Sequence, residues 1–157
     1  MILSTIGYQS AKIEEFFQVL VQNKVRTIID IREYPISRKK GFSKTALARQ
    51  SEAHKIQYIH IGALGCPRDI RHDYRKDQDW VRYSQRFLAY LKTQSKEVDQ
   101  LAALIQCSSS CLLCFEADPE HCHRLYVAEE VSSRLNNNIE IKHLEPVKTM
   151  GVASPLS

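Results

Sequence analysis

Residues 112–124 have the sequence LLCFEADPEHCHR, which is typical of a buried strand, a short polar loop and the start of a helix. In open α/β sheets, ligands bind outside the carboxyl ends of the strands. Here that position collects a carboxylate, two histidines, a thiol and an arginine between residues 116 and 124. The stretch therefore predicts the position of a site as well as the class of the fold.

Strand-like and helix-like segments alternate through the rest of the chain. Apolar runs predict five strands, at residues 2–6, 25–31, 58–61, 111–115 and 139–143. Helical spacing of apolar residues predicts helices that start at Ser10, run from Ser43 to about Ala53, span 80–106 with a break near 93–95, and run from Asp118 to about Leu135. Residues 68–79 are polar without periodicity and predict a long loop. This alternation is typical of the α/β class, with a mostly parallel sheet of about five strands and helices on both faces.

Length and composition agree with one globular domain. We expect residues 1–147 of the 157-residue chain to form a single α/β domain, followed by a flexible tail at 148–157. The net charge of +4 falls short of the dense clusters of an obligate nucleic-acid binder. With no apolar run near ~18 residues, no basic leader and an odd number of five cysteines, we expect a cytoplasmic protein with free thiols and no membrane association. The sequence does not indicate the oligomeric state.

The helix predicted from Asp118 places an arginine toward the core. Successive helical residues advance by about 100°, so His121 and Arg124 fall on the buried stripe. A buried arginine needs partners, and the carboxylates of Glu116 and Asp30 are candidates. Two interpretations stay open: the pair only fixes the loop, or Arg124 and the helix N-terminus bind an anion. A later helix start would turn Cys122 and His123 toward the site.

The positions of the cysteines argue against a metal site and offer only a candidate nucleophile. Cys122, near a helix N-terminus, is a candidate nucleophile with a lowered pKa, although its spacing to Arg124 differs from that of known cysteine–arginine anion loops. Strand alternation puts Cys111 and Cys114 on opposite faces of the sheet. The three contiguous residues 121–123 cannot easily complete one tetrahedron. We therefore expect no metal and no cofactor.

A second group of polar residues follows the other strands. Asp30 and Arg32 share one strand face, and Arg32 with Arg38 is suited to grip a phosphate while Tyr34 or Phe42 stacks on a ring. Tyr8 and His60 stand at neighbouring strand ends, where they can donate hydrogen bonds or protons. The alternative is a solvated basic loop whose aromatic residues belong to the core.

Together these segments resemble a family known only as domain of unknown function 488. The similarity runs in order along about residues 3–135, and its matching features are Thr5-Ile6-Gly7-Tyr8, Asp30-Ile31-Arg32 with Pro35, Ser37 and Arg38, Tyr58-Ile59-His60, Leu64-Gly65, a helix with Trp80, Phe87 and Tyr90, Cys114-Phe115-Glu116 and Cys122-His123-Arg124. The chain differs from the family pattern at Gln9 and at Gly65-Cys66. The resemblance implies an α/β fold and a shared set of polar residues, without an established activity.

Three hypotheses follow. The first is an anion site for a phosphorylated small molecule or a nucleotide, with ligand binding by Tyr8, Arg32, Arg38, His60, His121 and Arg124. If the site is enzymatic, its catalytic candidates are Glu116, Asp30 and Cys122. The second is a nucleic-acid-binding accessory protein that uses the basic residues 38–40 and the arginines of 68–82. The third is a structural or interaction domain whose arginines pair with internal carboxylates.

Overall fold

The computed structural model describes residues 1–146. Five strands form one sheet: β1 (Ile2–Gly7), β2 (Thr27–Asp30), β3 (Gln57–His60), β4 (Ser110–Cys114) and β5 (Glu140–Leu144). Every pairing is parallel, in the order β3-β2-β4-β1-β5. The predicted α/β class with a parallel sheet of five strands is confirmed. The predicted tail at 148–157 lies outside the described residues, and so does the boundary at 147.

Six helices cover the sheet: α1 (Ile13–Gln22), α2 (Lys44–Ala53), α3 (Arg68–Asp77), α4 (Trp80–Lys92), α5 (Ser95–Cys107) and α6 (His123–Arg134). Helices α1 and α2 pack on one face, where Phe16 and Leu47 meet Ile28. Helices α3 to α6 pack on the other face, where Phe87 and Val127 join the second core cluster. The predicted helical cover on both faces is therefore present. Within residues 1–146, no helix combines the length and the apolarity needed to cross a membrane.

The segment at 68–79 is a helix over most of its length, so the loop predicted there is wrong. Only Ile70 is buried in α3, and Tyr74 is half-buried beside it. Charged residues that suit the helix dipole stand at its two ends, Asp69 in the first turn and Arg75 in the last. Ile70 and Tyr74, which are four residues apart, hold α3 against α4. Two apolar residues are too few to be recognised in the sequence as helical periodicity.

The start of α6 also differs from the prediction. A 3₁₀ turn occupies Pro119–His121, and the side chain of Asp118 caps that turn. Cys122 then adopts an extended conformation, with φ −142° and ψ 143°, and is the N-cap of α6. This later start of the helix is the alternative named in the sequence analysis. It gives Cys122 and His123 directions that differ from those in a helix that begins at Asp118.

Candidate functional site

A cavity of about 700 Å³ opens at the carboxyl edge of the sheet. Its wall combines the segments that follow β1, β2 and β4 with residues of α3 and α4. Of the predicted site residues, five line this cavity: Tyr8, Arg32, Arg38, Glu116 and His121. Asp30, His60, Cys122 and Arg124 are not part of its lining. The parallel topology thus brings part of the predicted set together, as strand ends at one edge should.

The inner wall of the cavity is built on a buried ion pair. Arg32 Nε donates to Asp30 Oδ1 at 2.8 Å and Arg32 Nη2 donates to Oδ2 at 2.7 Å, which is a bidentate pair. Arg32 Nη1 donates to the Tyr8 hydroxyl at 3.1 Å and to the Phe42 carbonyl at 2.6 Å. Burial lowers the pKa of Arg32, but the contacts with Asp30 outweigh it and raise the pKa above its ordinary value. Arg32 therefore adds charge to the wall while its hydrogen bonds are directed to the protein.

Tyr58 completes the coordination of Asp30, because its hydroxyl donates to Oδ2. Burial, followed by the charge of Asp30, raises the pKa of Tyr58. We expect Tyr58→Phe to lower the free energy of unfolding by about 1 kcal/mol, since one hydrogen bond to a carboxylate is lost while the Arg32 contacts remain. Urea unfolding measures this loss. Tyr34→Phe is the control because Tyr34 is 60% exposed, and an equal effect of the two changes would contradict the prediction.

The cations of the cavity fall into two groups. Arg71 Nη2 lies 2.8 Å from Glu33 Oε1, and its Nε donates to the Cys66 carbonyl at 2.9 Å. Arg38 and Arg75 are exposed, and neither forms an ion pair with an acidic side chain within residues 1–146. The cavity therefore carries two guanidinium groups that are not already neutralised by a salt bridge.

Aromatic rings form much of the remaining wall. Trp80 stacks on Tyr83 with ring centroids 4.5 Å apart, and Tyr74 meets both rings edge-on or tilted. Trp80 and Tyr83 also have a packing role, because Tyr83 belongs to a core cluster and Trp80 packs against it. Both rings also line the cavity, together with the exposed rings of Tyr34 and Phe115.

Besides Arg32, the titratable groups of the wall with raised pKa values include Glu116 and Cys66. Burial raises the pKa of Glu116, although the nearby Arg124 opposes this effect. Burial also raises the pKa of Cys66 to about 12. The Cys66 thiol is therefore neutral near pH 7 and is not a nucleophile by itself, whereas Glu116 is a carboxyl that lines the cavity in a poorly solvated position.

Arg124 lies beside the cavity and is fully buried. Its Nε donates to Thr5 Oγ1 at 3.1 Å, Nη1 donates to the Glu116 carbonyl, and Nη2 donates to the Ala117 carbonyl at 3.2 Å. Nη1 also lies 3.2 Å from Cys114 Sγ. The partners are thus backbone carbonyls and a hydroxyl, and not the carboxylates of Glu116 and Asp30 that the sequence suggested. These contacts support the interpretation that Arg124 fixes the loop, and ligand binding by Arg124 stays a prediction.

The two predicted histidines occupy different environments. His60 is half-buried and its Nε2 bonds the Arg32 carbonyl at 2.7 Å, which ties β3 to the segment after β2. His121 is 53% exposed, lines the cavity and bonds Asp118 Oδ2 through Nδ1 at 2.7 Å. His121 also lies against Trp80, with ring centroids 5.3 Å apart. Of the two, His121 is the one positioned to reach a molecule in the cavity.

A cluster of Cys114, Cys122 and His123, here called the Cys–His cluster, stands behind the cavity wall. The sulfur atoms of the two cysteines are in contact as a disulfide-bonded pair, which is not the state of free thiols expected from the sequence. His123 Nε2 bonds the Ile31 carbonyl at 2.9 Å, and its Nδ1 lies 3.8 Å from Cys122 Sγ. Burial lowers the pKa of His123 to about 4. Cys114 and His123 also line the cavity, so the cluster borders it directly.

Among the residues of this region that sequence reasoning missed are Arg71, Arg75, Cys114 and His123. The two arginines were counted among the basic residues of 68–82, but without α3 nothing placed them at the cavity. Their spacing of four puts them on one side of a helix, which was the available signal. Cys114 and His123 were considered only with other partners, because the extended Cys122 that brings them together is not evident from the sequence.

A comparison with protein families gives one match. The family model described as "Domain of unknown function DUF488" matches residues 12–131, which is most of the chain. No curated protein and no solved structure matches the chain significantly.

Proposed function

The chain belongs to the domain of unknown function DUF488 family, and from its site we propose that it binds a phosphate-bearing ligand with a planar ring, such as a mononucleotide. The observation that carries this proposal is the combination of two guanidinium groups outside any salt bridge with an aromatic wall in one cavity. A volume of about 700 Å³ is within the range of small-molecule sites. The family description assigns no activity, so the proposal depends on the site itself.

Arg38 and Arg75 provide the phosphate end of the proposed site. Both line the cavity from different segments, Arg38 from the loop after β2 and Arg75 from the last turn of α3. Charge-assisted hydrogen bonds from guanidinium groups are well suited to phosphate oxygens, which can accept two parallel bonds from one arginine. Arg32 and Arg71 add positive charge from behind, although Asp30 and Glu33 occupy their hydrogen bonds.

The aromatic residues provide the ring end of the proposed site. Tyr34 and Phe115 are exposed at the cavity, 60% and 43% respectively, and Trp80 stands on its α4 side. Stacking of a base on an aromatic ring contributes about 1–3 kcal/mol and tolerates different bases. The exposed rings of Tyr34 and Phe115 line the same cavity as the guanidinium groups of Arg38 and Arg75. This arrangement favours a ligand that is anionic at one end and planar at the other.

For an enzymatic role, Glu116 is the predicted catalytic carboxyl that lines the cavity, and Glu33, which also lines it, pairs with Arg71. Asp30, the other predicted base, is fully buried and already bonds Arg32 and Tyr58. Catalysis by Glu116 stays a prediction.

The nucleic-acid alternative has less support. Residues 68–82 contain five lysines and arginines but four aspartates, a net charge of +1. Arg82 pairs with Asp73 and Asp77, and Arg86 pairs with Asp69 and Asp73, so the face between α3 and α4 is internally neutralised. A surface that binds the sugar–phosphate backbone of a nucleic acid needs many cations that are available to contact phosphates. Of the arginines of 68–82, Arg71 and Arg82 pair with carboxylates and Arg75 lies at the cavity, so few cations of this segment remain for phosphates along a face.

Fluorescence of Trp80 tests the proposal directly, because it is the one tryptophan of the chain and lines the cavity. We expect AMP to change this fluorescence saturably, whereas adenosine and ribose 5-phosphate, each lacking one end of the ligand, bind more weakly. The double variant Arg38→Ala, Arg75→Ala should bind AMP at least about tenfold more weakly, since about 1.4 kcal/mol of lost contact gives that factor.

The matched control is Arg26→Ala, Arg49→Ala, which removes the same charge from exposed positions that do not line the cavity. This control should bind AMP as the unmodified protein does. Equal binding by the Arg38 and Arg75 double variant would contradict the proposal, and so would the absence of binding by all four common nucleoside monophosphates. Much tighter binding of an oligonucleotide, with affinity that falls steeply as salt rises, would support the nucleic-acid alternative instead.

A further inference from the structure

From the geometry of the Cys–His cluster, we propose that, once a thiol reductant has opened the Cys114–Cys122 disulfide to two thiols, Cys114, Cys122 and His123 bind a Zn²⁺ ion at the border of the cavity. Their ligand atoms all lie within 4.8 Å of one another, and the three side chains are buried. Two thiolates and one imidazole are a donor set that zinc takes in proteins. This inference rests on the cluster alone and does not depend on binding of an anion.

The backbone separation of the two cysteines suits a shared ligand. Their Cα atoms are 7.8 Å apart, whereas disulfides usually join Cα atoms about 4.4–6.8 Å apart. Cys114 comes from the end of β4, and Cys122 is the N-cap of α6. The two side chains therefore point at each other from two fixed elements, and a metal ion bridges this wider backbone separation without drawing the elements together.

His123 has the orientation of a prepared ligand. Its Nε2 lies 2.9 Å from the Ile31 carbonyl, and a carbonyl can only accept, so Nε2 carries the proton. Nδ1 is then the unprotonated nitrogen, and it is the one that faces Cys122 Sγ at 3.8 Å. Metal-binding histidines usually donate their other nitrogen to a carbonyl or carboxylate in this way, which fixes the tautomer and the ring.

The surroundings of Cys114 favour a bound thiolate. Arg124 Nη1 lies 3.2 Å from Cys114 Sγ and can donate a hydrogen bond to a thiolate. Glu116 Oε2 lies 3.8 Å from the same sulfur. Zinc binding releases one proton from each of the two thiols to the solvent.

The proposed zinc site leaves one coordination position that faces the cavity. Cys114 and His123 both line the cavity wall, and within residues 1–146 no fourth cysteine, histidine or carboxylate joins this group. Structural zinc sites close all four positions with protein ligands, whereas sites with three protein ligands leave one for water or a ligand. We therefore expect a zinc ion here to remain accessible from the cavity, and the cavity to be its path of entry.

Titration of the reduced, metal-free full-length protein with Co²⁺ tests the site, because cobalt replaces zinc and reports thiolate ligands by a charge-transfer band. We expect one Co²⁺ per chain, a band from two thiolates, and displacement by Zn²⁺. Cys122→Ser should weaken binding by more than about a hundredfold, since even changes behind the ligands cost 10–100-fold. Serine is a favourable N-cap, so this variant should keep α6 intact, as circular dichroism can check.

Cys107→Ser is the matched control, because Cys107 is an exposed free cysteine outside the cluster. This control should bind Co²⁺ like the unmodified protein, and so should Arg38→Ala, Arg75→Ala, which keeps the test separate from that of nucleotide binding. His123→Ala should keep the thiolate band but bind more weakly. Failure of the reduced protein to bind Co²⁺, or equal binding by Cys122→Ser, would overturn the proposal.

Discussion

Replacement of Arg124 by methionine should destabilise the protein by roughly 3–5 kcal/mol. Arg124 is fully buried and donates to Thr5 Oγ1 and to the carbonyls of Glu116 and Ala117. Methionine fills most of the volume but donates nothing. Thr5 Oγ1 is buried, and leaving it without this donor costs about 1–3 kcal/mol, while the bonds to the half-buried Glu116 and the exposed Ala117 contribute about 0.5–1.5 kcal/mol each, which together account for the expected loss. Urea unfolding followed by circular dichroism measures it.

Arg134→Met is the matched control for this change, because Arg134 is on the same helix but pairs at the surface with Asp99 and Glu130. Exposed ion pairs contribute little, and we expect a loss of less than about 1 kcal/mol. If Arg124→Met left stability near that of the control while AMP binding disappeared, Arg124 would be a ligand-binding residue and its structural role would be refuted. Loss of stability supports the interpretation that it fixes the loop.

The sheet could be predicted from the sequence because its three central strands, β1, β2 and β4, are buried along nearly their whole length and so contain apolar runs. The edge strands β3 and β5 are partly exposed, and shorter runs marked them to within a few residues. Parallel strands then imply helical crossovers and a common carboxyl edge, which is why the region of the site was also predictable.

The details of the site could not be predicted because they depend on backbone atoms. The partners of Arg124 are mostly carbonyl oxygens, and these are present at every residue and so leave no pattern in the sequence. Asp118 and Pro119 are typical of a helix start, but here they begin a 3₁₀ turn that ends before Cys122. The choice between one helix and a turn followed by a helix depends on tertiary contacts of His123, such as its bond to Ile31.

The addition of a single methyl group is expected to have a large effect on stability at Gly7, the last residue of β1. A Cβ atom at this position would lie 1.7 Å from the Glu116 carbonyl oxygen and 2.9 Å from Arg124 Nη1. The first contact is with backbone, which cannot rotate away, so the loop after β4 must shift. We expect Gly7→Ala to lower the free energy of unfolding by roughly 3 kcal/mol or more, at the upper end of the cost of overpacking.

Gly62→Ala is the matched control, because an added Cβ there comes no closer than 3.1 Å to the His60 side chain and 3.2 Å to the Glu33 carbonyl oxygen, so only a small adjustment is needed. Its effect on urea unfolding should be clearly smaller than that of Gly7→Ala. Since the clash at Gly7 involves the same carbonyl that Arg124 binds, the double variant Gly7→Ala, Arg124→Met should lose less stability than the two single losses combined. Additive losses would mean that Gly7 and Arg124 act on the loop after β4 independently, and a mild Gly7→Ala would contradict the close packing of β1 against that loop.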